Sequence, residues 1–249
     1  MKTDWDYTDL ADAYLQRPDY AESAIDSMLA ISGIRKGSRV CDVGAGVAHL
    51  TLMLAERGLD VTAVEPNDAM RANGAKRTSS MPNVVWHEGT GEETGQSHAA
   101  FDLVTFGSSF NVCDRSVALK EVSRILKPKG WFACMWNHRD LDDPVQKGIE
   151  SAIKEIVEDY NYGTRREDQT SVIDGSGLFG PVVQVTGRII HEQSISDCIA
   201  AWRSHATLSR QAGADFPDVI NGIEALLTGL NTESIEIPYY TRIWISQLI

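Results

Sequence analysis

The stretch that decides the fold is VCDVGAGVAHL, residues 40–50. Asp42 lies in a short apolar run. Two glycines, Gly44 and Gly46, follow this run with one residue between them, and an apolar helical pattern begins directly after them. Glycines let the backbone turn sharply and approach a ligand closely, while the N–H groups of the following helix face that ligand. The candidates for this turn are a dinucleotide, another nucleoside cofactor, or no ligand at all.

Two carboxylates and one absent glycine distinguish these candidates. A dinucleotide fingerprint places a third glycine at position 49, where this chain has His49. Asp42 would repel a pyrophosphate but attracts the cationic amino-acid moiety of S-adenosylmethionine. Glu65, after the next apolar run, is placed to accept the ribose hydroxyls of either cofactor. The residues favour S-adenosylmethionine and leave an NAD-dependent oxidoreductase as the alternative.

The order of elements indicates an α/β fold. Apolar runs predict strands at 39–43, 60–65, 83–87, 101–106 and 130–136, and helical spacing predicts helices between them, one starting at Asn67 and one covering 115–126. Strands that alternate with helices indicate a parallel sheet wound on both sides. Ligands of such sheets bind at the carboxyl ends of the strands.

The pattern changes after residue 136. Asp143 and Pro144 start an amphipathic helix, the polar segment 161–177 is typical of a mobile loop or lid, and 235–245 reads as a strand. We expect a single domain over residues 1–249. It would comprise an N-terminal helical cap (1–36), a cofactor-binding core (37–140), and substrate-facing helices with a lid loop and the last strands (141–249).

Composition narrows the function classes. The chain has 35 acidic against 23 basic residues, a net charge of -12, which argues against nucleic acid and anionic membranes and favours a small-molecule partner. No cysteine pair or His/Cys/Asp/Glu spacing suggests a metal. The N-terminus has neither a signal core nor a membrane span. We expect a soluble cytoplasmic protein without a metal; its oligomeric state stays open.

Four segments resemble the motifs of the class I S-adenosylmethionine-dependent methyltransferases. VCDVGAGVAHL resembles their first motif, D-x-G-x-G, with Ala48 where many members have another glycine, and VTAVEPNDAM resembles the second. EGTGEETGQSHAAFDLVTFGSSFNVCD resembles the adenine-binding stretch and fourth strand, and EVSRILKPKGWFACMWNHRD the helix and fifth strand. The opening is similar to a type 11-like, small-molecule branch that includes trans-aconitate methyltransferase, through Tyr7, Ala11, Tyr14, Arg17, Pro18 and Tyr20.

This resemblance implies a Rossmann-like, doubly wound sheet of seven mostly parallel strands, with helices on both faces and an antiparallel C-terminal strand. It implies methyl transfer from S-adenosyl-L-methionine to a secondary metabolite or organic acid by in-line displacement, with S-adenosyl-L-homocysteine as product. The cofactor-binding residues it implies are Tyr14, Arg17, Asp42, Gly44, Ala45, Gly46, Glu65, Pro66, Asn67, Met70, Thr90, Gly91, Glu92, Phe106 and Gly107.

The acceptor side is less determined. His138 and His205 are candidate general bases, since histidine titrates near neutrality, and Asn111 is a candidate hydrogen-bond donor to the substrate. Where the similar branch often has F-H-W, this chain has Phe110, Asn111 and Val112, which keeps a catalytically inactive, methyltransferase-like partner protein as an alternative. Three arginines are candidates for binding an acidic substrate: Arg139, Arg165 and Arg166. Five aromatic residues are candidates for a substrate pocket: Trp5, Trp136, Trp202, Phe179 and Tyr160.

Overall fold

The structure, a computed structural model, describes residues 11–249 without the side chains of residues 12, 13, 165 and 206. Strands and helices alternate in its first half, as the hydrophobic pattern predicts. The strands are β1 (Arg39–Val43), β2 (Asp60–Val64), β3 (Val84–His87), β4 (Phe101–Gly107), β5 (Leu126–Arg139), β6 (Val183–Ser194) and β7 (Ser234–Gln247). The α-helices are α1 (Ala11–Tyr14), α2 (Glu22–Ser32), α3 (His49–Glu56), α4 (Asp68–Arg77), α5 (Arg115–Ile125), α6 (Pro144–Ile156), α7 (Thr170–Gly175), α8 (Ile195–Arg203), α9 (Ala206–Ala212) and α10 (Phe216–Thr228).

The seven strands form one sheet in the order β3-β2-β1-β4-β5-β7-β6. The pairs β1–β2, β1–β4, β2–β3 and β4–β5 are parallel. The C-terminal strand is antiparallel, because the Gly130 carbonyl accepts from the Leu248 N–H at 2.8 Å while the Asp140 N–H donates to the Pro238 carbonyl at 2.9 Å. The expected fold class is confirmed, and the carboxyl ends of β1, β2 and β4 share one edge of the sheet.

The chain divides into two compact units: unit 1 (Met1–Asn137, Glu167–Gly187 and Thr241–Ile249) and unit 2 (His138–Arg166 and Arg188–Tyr240). Unit 1 has a buried core in which the rings of Phe106, Phe110 and Phe132 meet edge-on or tilted, with centroids 5.3 to 5.9 Å apart. Unit 2 has its own apolar core, which includes Ile153 and Trp202. The single domain with boundaries at residues 36 and 140 stays a prediction.

Two local expectations are wrong. The fifth strand continues through Arg139, so His138 lies within the strand, buried, and not after it. The segment 161–177 is not one loop: it contains a 3-10 turn at Gly163–Arg166 and the helix α7. α7 forms because Ile173 is fully buried in the core of unit 1, which anchors an otherwise polar segment.

No helix among the described residues is long and apolar enough to cross a membrane.

Candidate functional site

The glycine turn joins the end of β1 to α3. The N–H groups of Gly44 and Ala45 both donate to the carbonyl of Val64, at 2.8 and 3.1 Å, so the turn is held against the end of β2. Gly44 and Gly46 have φ of +68° and +55°, the left-handed region that favours glycine. A Cβ at position 44 would lie 2.4 Å from Cβ of Ser109, whereas one at position 46 meets no atom within 4 Å. The turn is therefore tightly packed at Gly44 and open at Gly46.

Glu65 connects this turn to the loop after β2. Its Oε2 accepts the Gly46 N–H and its Oε1 accepts the Asn67 N–H, each at 2.9 Å. Burial raises the pKa of this carboxyl above its ordinary value, and the two backbone hydrogen bonds oppose that rise. Each oxygen of a carboxylate has a second lone pair. Glu65 can therefore hold the turn and accept two ribose hydroxyls at the same time.

Asp42 is a nearly completely buried carboxylate in β1. Its Oδ2 accepts the hydroxyl of Thr51 at 2.7 Å and its Oδ1 accepts that of Thr105 at 3.0 Å. Burial raises the pKa of Asp42 to about 6; the two hydroxyl hydrogen bonds oppose this rise, and the charge of Glu65 adds to it. Among the described residues no lysine, arginine or histidine forms an ion pair with it. A buried carboxylate without a countercharge favours a cationic ligand group.

The loop after β2 continues into α4 through a helix cap. The Oδ1 of Asn67 accepts the Met70 N–H at 3.0 Å, so Asn67 is the cap and the helix begins one residue after the predicted start. Met70 is buried in a small cluster with Ala11 and Val47, and Pro66 is half-buried. The ribose side of the candidate site is therefore held by a helix cap and by buried apolar contacts of the protein itself.

The predicted adenine-binding segment is held against the start of α5. The Thr90 N–H donates to the Glu93 carbonyl at 3.0 Å, which closes a tight turn. A Cβ at Gly91 would lie 2.4 Å from the Sγ of Cys113, and Glu92 accepts the N–H of the residue after Cys113 at 2.7 Å. Glycine at position 91 is thus required by close packing.

The end of β4 holds two of the predicted cofactor-binding residues, Phe106 and Gly107. The side chain of Phe106 is fully buried in the core of unit 1, so this predicted site residue can meet a ligand only through its backbone. A Cβ at Gly107 would lie 2.9 Å from the hydroxyl of Tyr20, which is hydrogen-bonded to Ser108 at 3.0 Å. Burial raises the pKa of Tyr20, so this phenol is uncharged.

His49 ties the segment before α2 to the first turn of α3. Its Nε2 lies 2.8 Å from the Tyr14 carbonyl and its Nδ1 lies 2.7 Å from a carboxylate oxygen of Asp19. Both partners only accept, so both bonds form together when each ring nitrogen carries a proton. The exposed guanidinium of Arg17 stacks on the Tyr14 ring, with Cζ 3.6 Å from its centroid. The side chain at position 49, where a dinucleotide-binding fold has glycine, therefore bonds α3 to Tyr14 and Asp19.

The three candidate catalytic side chains fall in different units. Asn111 lies in unit 1, where its Oδ1 accepts the indole N–H of Trp136 at 2.9 Å and its amide NH2 donates to no described residue. His138 is a buried residue of unit 2. His205, also in unit 2, caps α9, since its Nδ1 accepts the Leu208 N–H at 3.1 Å. A neutral His205 with this bond carries its proton on Nε2 and can donate there.

The predicted aromatic pocket is not assembled as one cluster. Trp136 and Phe179 belong to the core of unit 1, whereas Tyr160 and Trp202 belong to the core of unit 2. Large rings with this pattern fill cores, because burying them contributes most to stability. Trp5 lies outside the described residues, and so does Tyr7 of the predicted N-terminal motif.

Sequence reasoning missed the hydroxyls that surround the acid of the first motif. Thr51 lies among the apolar residues of the helix α3, and Thr105 lies among those of the strand β4. The hydroxyls of both donate to Asp42. The hydroxyl of Ser109 donates to the Val43 carbonyl at 2.6 Å, which fixes the end of β1. A threonine inside an apolar run could have indicated these hydrogen bonds from the sequence, since a buried hydroxyl needs a partner. Within the described part of the chain, no cluster of three or more His, Cys, Asp or Glu side chains could hold a metal ion.

Comparison with known proteins agrees with this geometry. Residues 41–134 match the family described as a methyltransferase domain. An uncharacterized methyltransferase from Mycobacterium tuberculosis is 38% identical over 128 residues, 50% of this chain and 48% of that protein. Demethylmenaquinone methyltransferase from Staphylococcus aureus is 36% identical over 107 residues, 41% of this chain and 44% of that protein. The chain spans about half the length of the curated relatives it matches.

Solved structures share the fold at low identity. The YcgJ protein from Bacillus subtilis has a TM-score of 0.57 and 16% identity, over 91% of this chain and 98% of that one. A phosphoethanolamine N-methyltransferase from Haemonchus contortus, solved with phosphomonomethylethanolamine and S-adenosylhomocysteine, has a TM-score of 0.55 and 15% identity, over 96% of this chain and 56% of that one.

The fold is that of the class I S-adenosylmethionine-dependent methyltransferases. This chain carries a methyltransferase domain of that class, matched at residues 41–134, and S-adenosylmethionine is the cofactor of the class. The narrower resemblance to the branch of trans-aconitate methyltransferase stays a prediction.

Proposed function

We propose that the protein transfers the methyl group of S-adenosylmethionine to a small-molecule acceptor. One observation carries this proposal: Asp42 and Glu65, two buried carboxylates at the ends of neighbouring parallel strands, flank a glycine turn that is open at Gly46. Asp42 offers negative charge to a cation, and Glu65 offers acceptors to a ribose. A pyrophosphate at this turn would meet repulsion from Asp42.

When bound, S-adenosylmethionine supplies an activated methyl group on a positively charged sulfur. In the transfer, an acceptor lone pair forms a bond to the methyl carbon, the carbon–sulfur bond breaks, and its electron pair stays on sulfur. The protein's part is to orient the acceptor and exclude water. A base is needed only where the acceptor must lose a proton, and His138 is our candidate for that role. The predicted role of His205 as a base is not supported, because its one lone pair, on Nδ1, already accepts the Leu208 N–H. Asn111 can donate its amide N–H to an acceptor oxygen.

The names of the relatives support a small-molecule acceptor. One matched relative acts on demethylmenaquinone by name, and one structural neighbour was solved with a phosphorylated amine. The opening motif favours an organic acid or a secondary metabolite. No nucleic-acid partner is proposed, because the net charge of -12 opposes a polyanion. A cytoplasmic location stays a prediction.

Calorimetric titration with S-adenosylhomocysteine and, separately, with NAD tests the cofactor assignment. We expect binding of S-adenosylhomocysteine alone. The Glu65→Ala variant should bind S-adenosylhomocysteine more weakly, whereas Glu56→Ala, which removes an exposed carboxylate from α3, should bind it as the wild type does. Binding of NAD alone would make the protein an oxidoreductase, and binding of neither would favour the inactive partner protein.

A further inference from the structure

Unit 2 contains a guanidinium enclosed by aromatic side chains. Arg139, the last residue of β5, is half-buried. Its Cζ lies 4.2 Å from the centroid of the Trp202 ring and 5.9 Å from that of Tyr239, and its Nε donates to the Tyr239 hydroxyl at 3.2 Å. These contacts hold the plane of the guanidinium in a defined orientation.

This positive charge has no countercharge among the described residues. No carboxylate forms an ion pair with Arg139, and neither of its terminal nitrogens donates to a described acceptor. The groups that influence it electrostatically are phenols and a thiol: Tyr239, Tyr162 and Cys198. Burial raises the pKa of Cys198, so this thiol is uncharged at neutral pH. In a chain with 35 acidic residues, an arginine left without one is a site for an external anion.

Two further donors lie on the same cluster. Arg166 stacks on Tyr162, with Cζ 4.0 Å from the ring centroid, and its Nη2 donates to the Arg139 carbonyl at 3.1 Å. Its side chain is therefore tied to the backbone of Arg139. The indole N–H of Trp202 is buried and has no acceptor in the part of the chain that is described. A buried N–H donor without an acceptor is uncommon in folded proteins, and an acceptor oxygen of a ligand would satisfy it.

We propose that Arg139, together with Trp202 and Tyr239, binds the carboxylate of a small organic acid. The two terminal nitrogens of a guanidinium match the two oxygens of a carboxylate, and the two aromatic rings hold the guanidinium in place for that pairing. This inference goes beyond the proposed function, because the three residues all lie within unit 2 and the site needs no cofactor.

Sodium benzoate is the probe, with benzyl alcohol as its neutral counterpart and inorganic phosphate as a non-planar anion. Arginine Nε–H resonances of the intact wild-type protein are followed by NMR during each titration at constant ionic strength. We expect a saturable shift of the Arg139 resonance, assigned from Arg139→Lys, with benzoate and not with benzyl alcohol. Absence of that shift, or an equal effect of phosphate, overturns the proposal.

Calorimetry with benzoate adds a comparison of variants. Arg139→Met should weaken benzoate binding about ten- to a hundredfold, as loss of a charge-assisted pair does. Arg139→Lys, which keeps the charge and loses the fork, should weaken it less. Arg203→Met is the matched control in the same unit, because Arg203 is exposed and pairs with Glu224, and it should bind benzoate as the wild type does. Wild-type affinity in Arg139→Met overturns the proposal.

Titration of the same samples with S-adenosylhomocysteine separates the two ideas. Binding of S-adenosylhomocysteine without benzoate would overturn the carboxylate site and leave the proposed function intact. Binding of benzoate without S-adenosylhomocysteine would support the carboxylate site and contradict the proposed function.

Discussion

The substitution Asp42→Asn tests whether the buried, ionised carboxylate of Asp42 lowers the free energy of unfolding of the protein. In the folded protein, burial raises the pKa of Asp42 from an ordinary value of 3.8 to about 6. A carboxyl with a raised folded-state pKa contributes stability that is fully present below the unfolded-state pKa. That contribution is lost as the pH rises through the folded-state pKa. Wild-type stability should therefore fall from pH 4 to pH 7 through this group.

The size of the effect follows from the two pKa values. Their difference corresponds to about 3 kcal/mol between the acidic and basic limits, of which about 1 kcal/mol lies between pH 5 and pH 8. Asparagine does not titrate, so the variant lacks this contribution. Comparing the two proteins at each pH cancels every other titrating group. The stability of Asp42→Asn relative to wild type should rise by about 1 kcal/mol from pH 5 to pH 8.

Urea unfolding of both proteins at pH 5, 6, 7 and 8, followed by circular dichroism, measures this difference. Asp60→Asn is the matched control, because Asp60 is an exposed aspartate at the start of β2 and its substitution should not produce the same pH dependence. The reasoning is refuted by a stability difference that stays constant over this range. A difference that moves in the opposite direction refutes it as well.

Three further predictions concern the turn and its surroundings. Glu65→Ala should weaken S-adenosylhomocysteine binding about ten- to a hundredfold in calorimetry, because charge-assisted hydrogen bonds are lost; an unchanged Kd removes this residue from the ribose site. Gly44→Ala should destabilise the protein more than Gly46→Ala in urea unfolding, because only the former Cβ meets a carbon 2.4 Å away while both share the strain of positive φ; equal losses would contradict this. Asn111→Leu should cost about 1–3 kcal/mol by leaving the Trp136 indole N–H without its acceptor. Asn111→Asp, which keeps the acceptor, should restore most of that stability in thermal unfolding, and equal losses in the two variants would argue against this hydrogen bond.

Much of the cofactor half was predictable from local signals. The apolar run at Arg39–Val43 and the glycines after it place Asp42 at a strand end, and the next run places Glu65 likewise. The strand period and the turn residues are properties of a few neighbouring positions, so pattern suffices. The acceptor half was less predictable, because the apolar run predicts a strand at 130–136 only, while β5 runs from Leu126 to Arg139. Pairing with β4 and β7 overrides the local preference.

The sequence by itself determined the alternating strands and helices, the glycine turn and the two acids, since each depends on residues close together in the chain. Only the tertiary structure decided what those acids contact. Asp42 meets Thr105, 63 positions away, and burial between them raises its pKa. Arg139 meets Tyr239, 100 positions away, and lacks a carboxylate. The burial of a charged side chain, its countercharge and its hydrogen-bond partners depend on segments that come together only when the chain folds. These properties distinguish a carboxylate or guanidinium that can bind a ligand from one that is solvated.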